Sequence, residues 1–294
     1  MPNNLRVKSS EFIDETVRIS FKFNGKTYHG FKGDTLGSAL LANNVHLVGR
    51  SFKYHRPRGI MTAGSEEPNA IVQINDGTDR TEPNVRATEV EIYEGLEASS
   101  QNCWPSVNFD IGGINNAISA FLPAGFYYKT FMWPASFWEK YEYIIRHSAG
   151  LGKSPTEKDP DVYDHRYVHC DVLVVGAGIS GILAAKNAAK KNLKTLLVDE
   201  KNEIGGSTIY QNREFNKIEN QSSSDWLKKE IQELKNIKNI EIKTRTSVAA
   251  FHGYNYLLAR ENLTDHLEKK YKQGKIRQRP VSYTHLTLPT TPYV

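Results

Sequence analysis

Three glycines at a fixed spacing carry the clearest chemistry in the chain. Gly176-Ala-Gly178-Ile-Ser-Gly181 fits the pattern G-x-G-x-x-G. The first glycine permits a tight turn off a strand. The second has no side chain, so a pyrophosphate can approach the backbone. The third lets helix and strand pack closely. Free N–H groups and the dipole at the helix start favour that negative charge. An acid completes the pattern. Asp199 follows Gly181 by 18 residues, close to the ~20 expected for a carboxylate that accepts hydrogen bonds from a ribose. Hydrogen bonds to a charged group are worth about 1.5–3 kcal/mol each. An acid in this place disfavours a 2′-phosphate, which favours NAD or FAD over NADP. The alternative is a glycine-rich turn that binds nothing.

The surrounding sequence supplies the elements such a turn needs. Cys170–Val175 is an apolar, β-branched run of strand length, suited to a strand buried on both faces. Ile182–Asn192 reads as a helix, with Ala184, Ala185, Ala188 and Ala189 allowing close packing. Leu193–Val198 is a second apolar strand ending at Asp199 and Glu200. Gly205-Gly206 follows a few residues later and resembles the Gly-Gly of two-dinucleotide-binding flavoproteins, which implies backbone close to a cofactor. Ser224–Ile237 is a helix with Trp226, Leu227, Ile231 and Leu234 on one face. Ile240–Lys243 and Thr246–Phe251 are strands, the latter read as a third strand on the adenine side. Tyr254–Arg260 and the charged stretch to Arg279 read as a β-meander.

No catalytic constellation accompanies the motif. Nine histidines are scattered, and no pair has metal-ligand spacing. His165 and His169 are four apart where no helix is expected, so a chance pair is favoured. Neither cysteine lies beside a helix start that would mark a reactive thiolate.

The first 95 residues read as a separate small α+β unit of the β-grasp kind. Val17–Phe23 and Lys26–Phe31 alternate apolar and polar residues around Asn24-Gly25. Asn-Gly between two such runs is a strong hairpin signal, because both residues tolerate positive φ. Asp34-Thr35 caps a short helix, Leu36–Asn43. Ala70–Ile74 and Val85–Tyr93 read as further strands. Between them lies a basic, aromatic loop from Gly49 to Gly59. It has three readings: a nucleic-acid contact, a structured loop packed on a neighbour, or arginines facing an anionic cofactor.

Residues from about 95 to 165 are rich in aromatics: Trp104, Phe109, Phe121, Phe126, Tyr127, Tyr128, Phe131, Trp133, Phe137 and Trp138. A flexible linker would not expose so much apolar surface. The segment fits an ordered connector at an interface, and equally the core of the next domain. Phe137–His147 has a helical apolar stripe, and Gly150–Asp164 reads as a polar linker.

Composition excludes several classes. The chain has 294 residues and a net charge of +5 with both signs interspersed, too weak to imply nucleic acid. Two cysteines, Cys103 and Cys170, exclude a disulfide framework and a four-thiolate site. The N-terminus has no apolar signal-peptide core. The longest apolar run, Asp171 to Lys186, is broken by glycines and falls short of a bilayer span. The expectation is a soluble, cytoplasmic protein with no membrane partner.

Several blocks, in order, resemble a known family: GDTLGSALLANN, GRSFKYHRPRGI, AGSEEPNA, SQNCWPSVNFD, FLPAGFYYKTFMWP and VVGAGISG…VDEKNEIGG. They are similar to the alpha subunits of heterotetrameric sarcosine oxidases, from about Val17 to Arg279. The resemblance implies oxidation of sarcosine to glycine with oxygen as acceptor. It implies FAD, FMN and tetrahydrofolate in the full complex, and a flavin-binding beta subunit with gamma and delta subunits as partners. It implies NAD on this chain, with FAD as the alternative. Carried over residue by residue, the contacts are Gly176, Gly178, Ser180, Gly181, Asp199, Glu200, Lys201, Gly206, Ser207 and Val248. An alternative within enzymes is the alpha subunit of an opine, proline or hydrogen-cyanide-type dehydrogenase. Outside them, a structural subunit that holds a nucleotide without turnover is the rival.

Two departures shape the expectation. Related alpha subunits hold a [2Fe–2S] cluster, but here the loop reads Gly59-Ile-Met-Thr-Ala-Gly64 without cysteine. The fold is therefore expected without iron–sulfur cluster. The family's subunit is also far longer, so the chain is expected to be an N-terminal piece, inactive alone. The expected organisation is a cluster-free ferredoxin-like β-grasp domain at 15–95 and a connector at 96–165. A partial FAD/NAD(P)-binding Rossmann-type domain follows at 166–280. Residues 281–294 resemble one reading frame of a common transposase sequencing adapter and are read as an assembly artefact, the alternative being a genuine Pro/Thr-rich tail.

Overall fold

The computed structural model describes residues 5–6, 12–121, 125, 133–148, 150–210 and 217–284. The chain divides into two compact units, Met1–Pro160 with His266–Glu268, and Asp161–Asp265 with Lys269–Val294.

In the first unit, strands β1 (Asp14–Phe23) and β2 (Lys26–Lys32) form the hairpin expected from Asn24-Gly25. Both turn residues take positive φ, 51° and 76°. Helix α1 (Leu36–Ala42) follows, and Thr35 caps it. The Thr35 hydroxyl accepts from the Ser38 N–H at 3.1 Å, and the Ser38 hydroxyl accepts from the Thr35 N–H at 3.0 Å. This reciprocal box satisfies donors the helix leaves open. Thr35→Ala is expected to destabilise the unit by about 1 kcal/mol, read as a lower urea midpoint with unchanged slope.

Strands β3 (Gly49–Arg50) and β4 (Pro57–Arg58) pair across the basic loop. Strands β5 (Ile71–Ile74), β6 (Glu82–Arg86) and β7 (Leu96–Ser100) complete a mixed five-stranded sheet in the order β2-β1-β7-β5-β6. Only the β1–β7 pair in it is parallel. Leu36 and Leu40 of α1 pack with Phe21, Phe23, Val72 and Leu96 of the sheet, all buried. This is the α+β arrangement the sequence implies.

One strand differs from expectation. Val85–Tyr93 is not continuous, because β6 ends at Arg86. The residues beyond it serve the helix instead. The Leu36 N–H donates to the Val90 carbonyl and the Gly37 N–H to the Ala87 carbonyl, each at 2.7 Å. The first N–H groups of a helix have no partner within it, and this loop provides one for each.

After β7 come α2 (Ile114–Ala117) and α3 (Trp138–Ser148). Of the aromatic segment, Phe126, Tyr127, Tyr128 and Phe131 lie outside the described residues. Trp104, Phe109, Trp133, Phe137 and Trp138 are exposed.

The second unit opens with β8 (Val162–Tyr163), β9 (Arg166–His169) and β10 (Val172–Val175). Helix α4 (Ile179–Lys190) crosses over to β11 (Thr195–Val198), which pairs with β10 in parallel. A short pair, β12 (Lys217–Ile218) and β13 (Gln221–Ser222), leads into α5 (Ser223–Lys235). Strand β14 (Ile240–Lys243) then adds to β11, again in parallel. The sheet order β10-β11-β14 makes β10 an edge, and its residues are half-buried or exposed rather than buried on both faces. Lys186 of α4 donates to Glu230 and Glu233 of α5, tying the two helices.

The third parallel strand is therefore β14, not Thr246–Phe251 as expected. At Arg245 the chain turns with φ 51°, and the Thr246 N–H donates to the Asp199 carbonyl at 2.7 Å. Strand β15 (Thr246–His252) then leaves that sheet and pairs antiparallel with β16 (Tyr256–Asn262). A short helix, α6 (Lys269–Lys272), precedes β17 (Ile276–Thr284). Strands β15, β16 and β17 form the meander read from the sequence, with β8 and β9 parallel to β17. Strand β17 continues past Pro280, and Val281 and Tyr283 are buried with Leu196 and Val198. Residues 285–294 lie outside the described residues.

Candidate functional site

The glycine turn leaves β10 at Val175 and enters α4 at Ile179. Gly176 sits at φ +94°, a conformation side-chain-bearing residues rarely adopt. Gly178 is the N-cap of α4, and no side chain caps the helix there. An anion is the natural partner for N–H groups at such an end. A Cβ on Gly181 would stand 1.9 Å from the Gly176 carbonyl oxygen, so α4 packs on the turn only with glycine there.

A second loop closes against the first. The Gly205 N–H donates to the Ala177 carbonyl at 2.8 Å. A Cβ on Gly206 would lie 2.8 Å from the Gly178 Cα. Two backbones without side chains thus meet beside the helix start. Buried Leu227 of α5 backs the loop, 2.5 Å from where a Gly205 Cβ would be.

Asp199 links the two loops. It is 8% exposed. Its Oδ2 accepts from the Ala177 N–H at 2.6 Å, and its Oδ1 from the Lys201 N–H at 2.9 Å. The acid expected at a ribose also braces the glycine turn. A carboxylate offers about four acceptor positions, and the two N–H groups take two of them.

The other expected contacts are less closely gathered. Ser180 is exposed in the first turn of α4, and Glu200 and Ser207 are exposed on the flanking loop. Lys201 turns to Tyr210: its Nζ donates to the hydroxyl at 3.1 Å and lies 4.7 Å from the ring centroid. Val248 packs with Cys170, Leu196 and Val198 in an apolar cluster. Tyr210 was not among the expected contacts, because nothing in the spacing marks a partner nine residues away. Among the described residues, no group of three or more His, Cys, Asp or Glu could hold a metal ion.

Comparison with known families gives each unit a counterpart. Residues 16–103 match the family of 2Fe-2S iron-sulfur cluster binding domains. Residues 171–268 match the FAD dependent oxidoreductases. The chain thus joins a ferredoxin-like domain to an oxidoreductase dinucleotide domain. It is a relative of the sarcosine oxidase alpha subunits, as its motifs indicate. Over 91% of its length it is 48% identical to sarcosine oxidase subunit alpha of Rhizobium meliloti (strain 1021). It is 30% identical over the same share to that of Corynebacterium sp. (strain U-96). The chain spans 27% and 23% of those two proteins. A solved structure, the L-proline dehydrogenase from P. horikoshii, covers 94% of the chain and is covered 42% by it. The TM-score is 0.53 at 15% identity, a likeness of fold alone.

These findings correct the cofactor expectation of NAD and no iron–sulfur cluster. The first unit matches a cluster-binding family, and the second matches a family named for FAD. The expectation rested on counting ligands, whereas the hairpin, helix and mixed sheet that frame a cluster loop are all present. The matched stretch nevertheless carries few of the usual cluster ligands. A [2Fe–2S] centre takes four ligands, usually thiolates, and Cys103 is the only cysteine in the matched stretch. Burial pushes its thiol pKa up, Asp110 adds to that, and Arg50 opposes it. Thiolates are the ligating form, so this shift is unfavourable for ligation. What organises the loop is a carboxylate. Glu67 is 1% exposed and accepts four backbone N–H groups, from Met61, Thr62, Asn69 and Ala70, at 2.7 to 3.0 Å.

Proposed function

We propose that the turn at 176–181 holds the diphosphate of FAD while Asp199 accepts from its ribose. The chain is then part of the alpha subunit of a sarcosine-oxidising complex. The observation that carries this reading is the meeting of Gly178 and Gly206 beside Asp199. That arrangement puts bare backbone beside the start of α4, where the diphosphate would sit, and an acid against the same turn. The family match at 171–268 and the 48% identity support it.

The flavin, when bound, supplies an acceptor for two electrons from an amine. The residues of this chain bind and orient. N–H groups at the start of α4 offset phosphate charge. Gly205 and Gly206 floor the site, and Leu227 holds them in place. In the proposed complex sarcosine is demethylated to glycine, oxygen takes the electrons and tetrahydrofolate takes the one-carbon unit. Beta, gamma and delta subunits complete the assembly, and the setting is cytoplasmic. Among the described residues, no helix is long and apolar enough to cross a membrane. The chain by itself is expected not to turn over sarcosine.

The test is extraction of the purified chain followed by mass spectrometry of the released nucleotide. FAD is the expected product. Asp199→Asn is expected to weaken its retention about 10- to 100-fold, the equivalent of one or two bonds to a charged acceptor. No bound adenine nucleotide, and no affinity for added FAD, would sink the reading.

A further inference from the structure

The basic loop and the segment after β7, both in the first unit, form one surface. Five contacts tie them together. The Arg50 guanidinium donates twice to the Val107 carbonyl, at 2.9 and 2.7 Å. His55 Nδ1 lies 2.6 Å from Asp110 Oδ2. Arg56 donates to Asn116 at 2.7 Å, and the Asn102 and Asn115 amides donate to the Ser51 and Lys53 carbonyls. A Cβ on Gly112 would collide with the His55 ring, so the two segments touch closely.

The outward side is unlike an ordinary surface. Phe52, Trp104, Phe109, Ile111, Ile114 and Ile118 are 42–70% exposed. Lys53, Arg56 and Arg58 lie in the same loop as Phe52. No acid occurs from Gly49 to Ser65, and from Trp104 to Ile118 the only one is Asp110. The Asp110 side chain is 1% exposed and faces His55. The surface therefore carries positive charge and apolar bulk with no exposed carboxylate.

We propose that this surface, Phe52 and Trp104–Ile118 bordered by Arg56 and Arg58, docks a partner subunit that presents carboxylates around an apolar hollow. The inference rests on reading the chain as a subunit. Monomers rarely leave large apolar patches bare. Covering these six side chains would bury on the order of several hundred Å², a large share of the ~800 Å² per partner that a standard interface needs. Aromatic residues and arginine are also the types that anchor interfaces. Charge selects the occupant. A second copy would bring like charges together, whereas an acidic face is steered in. The inner contacts hold the loop in shape before binding, which lowers the ordering cost.

The test uses this 294-residue chain, tagged, with the remaining subunits of the Rhizobium meliloti enzyme whose alpha subunit it matches. Capture of those subunits is expected, weakening with salt. Arg56→Glu/Arg58→Glu and Phe109→Ser are each expected to reduce capture at least tenfold. Lys229→Glu, on the exposed side of α5, should leave it unchanged. Circular dichroism confirms that the variants fold. Capture unaffected by the loop variants would overturn the docking surface alone. Failure of the unaltered chain to capture any subunit would overturn both the surface and the subunit reading. Binding of a single-stranded oligonucleotide, lost in the same variants while capture persists, would assign the surface to nucleic acid instead.

Discussion

Glu67→Ala is expected to unfold much of the first unit. The carboxylate is buried and accepts four backbone N–H groups from both ends of the loop at 61–70. Removing it leaves four donors without their acceptor. Each bond to a charged group is worth about 1.5–3 kcal/mol, and lost partners leave a desolvation penalty. With partial rescue by water, a loss of about 4–6 kcal/mol is expected. That is comparable to the whole stability of a small unit. Thermal denaturation followed by near-ultraviolet circular dichroism measures it. Glu67→Gln should recover only part, since its amide nitrogen would face N–H donors.

The same carboxylate gives an acid dependence. Burial pushes its pKa up, but the backbone N–H groups outweigh that and hold it below the ordinary 4.5 of glutamate. The folded state thus binds this proton less tightly than the unfolded chain. The resulting stability is fully present above the unfolded value and is lost as pH falls through the folded one. Urea midpoints between pH 6 and 3 should decline more steeply for the native chain than for Glu67→Gln. Parallel slopes would contradict the assignment.

Gly181→Val is expected to abolish nucleotide retention altogether. Even a methyl group at 181 would overlap the Gly176 carbonyl oxygen at 1.9 Å. That oxygen is backbone and cannot swing aside, so α4 must move off the turn. The displacement would separate the first N–H groups of α4 from Gly178 and Gly206. The expected result is loss of bound FAD beyond 100-fold, with destabilisation of the second unit by about 3 kcal/mol or more. Equilibrium dialysis and a denaturation curve read the two effects separately. Retained binding would show that the diphosphate lies elsewhere.

Local chemistry was readable in the sequence, and pairing was not. Asn24-Gly25 and the glycine turn at 176–181 fix their own backbone, so both stand where expected. Thr35 caps α1 for the same reason. Ile240–Lys243 and Thr246–Phe251 both read as strands, and the third place was assigned to the latter. The turn at Arg245 decides between them, and its φ of 51° leaves no mark in composition. Residues 87–93 read as the end of a strand, and Ala87, Ile92 and Tyr93 are buried. Their burial comes from packing under α1, a contact some fifty residues distant. The position of Asp199 was half legible. Spacing identified the acid, but its bond to the Ala177 N–H exists only once β10 and β11 lie side by side. The cofactor expectation failed because a ligand inventory was used where the frame defines the family.

The N–H groups at the start of α1 depend on carbonyls at 87 and 90, and β1 pairs in parallel with β7. During synthesis the hairpin and helix leave the ribosome long before those residues do. They cannot hold their final form until roughly residue 100 has emerged, when the loop closes in one step. Proteolytic pieces that stop short of β7 should therefore be molten, and the unit should melt as a single cooperative block rather than fray from its hairpin.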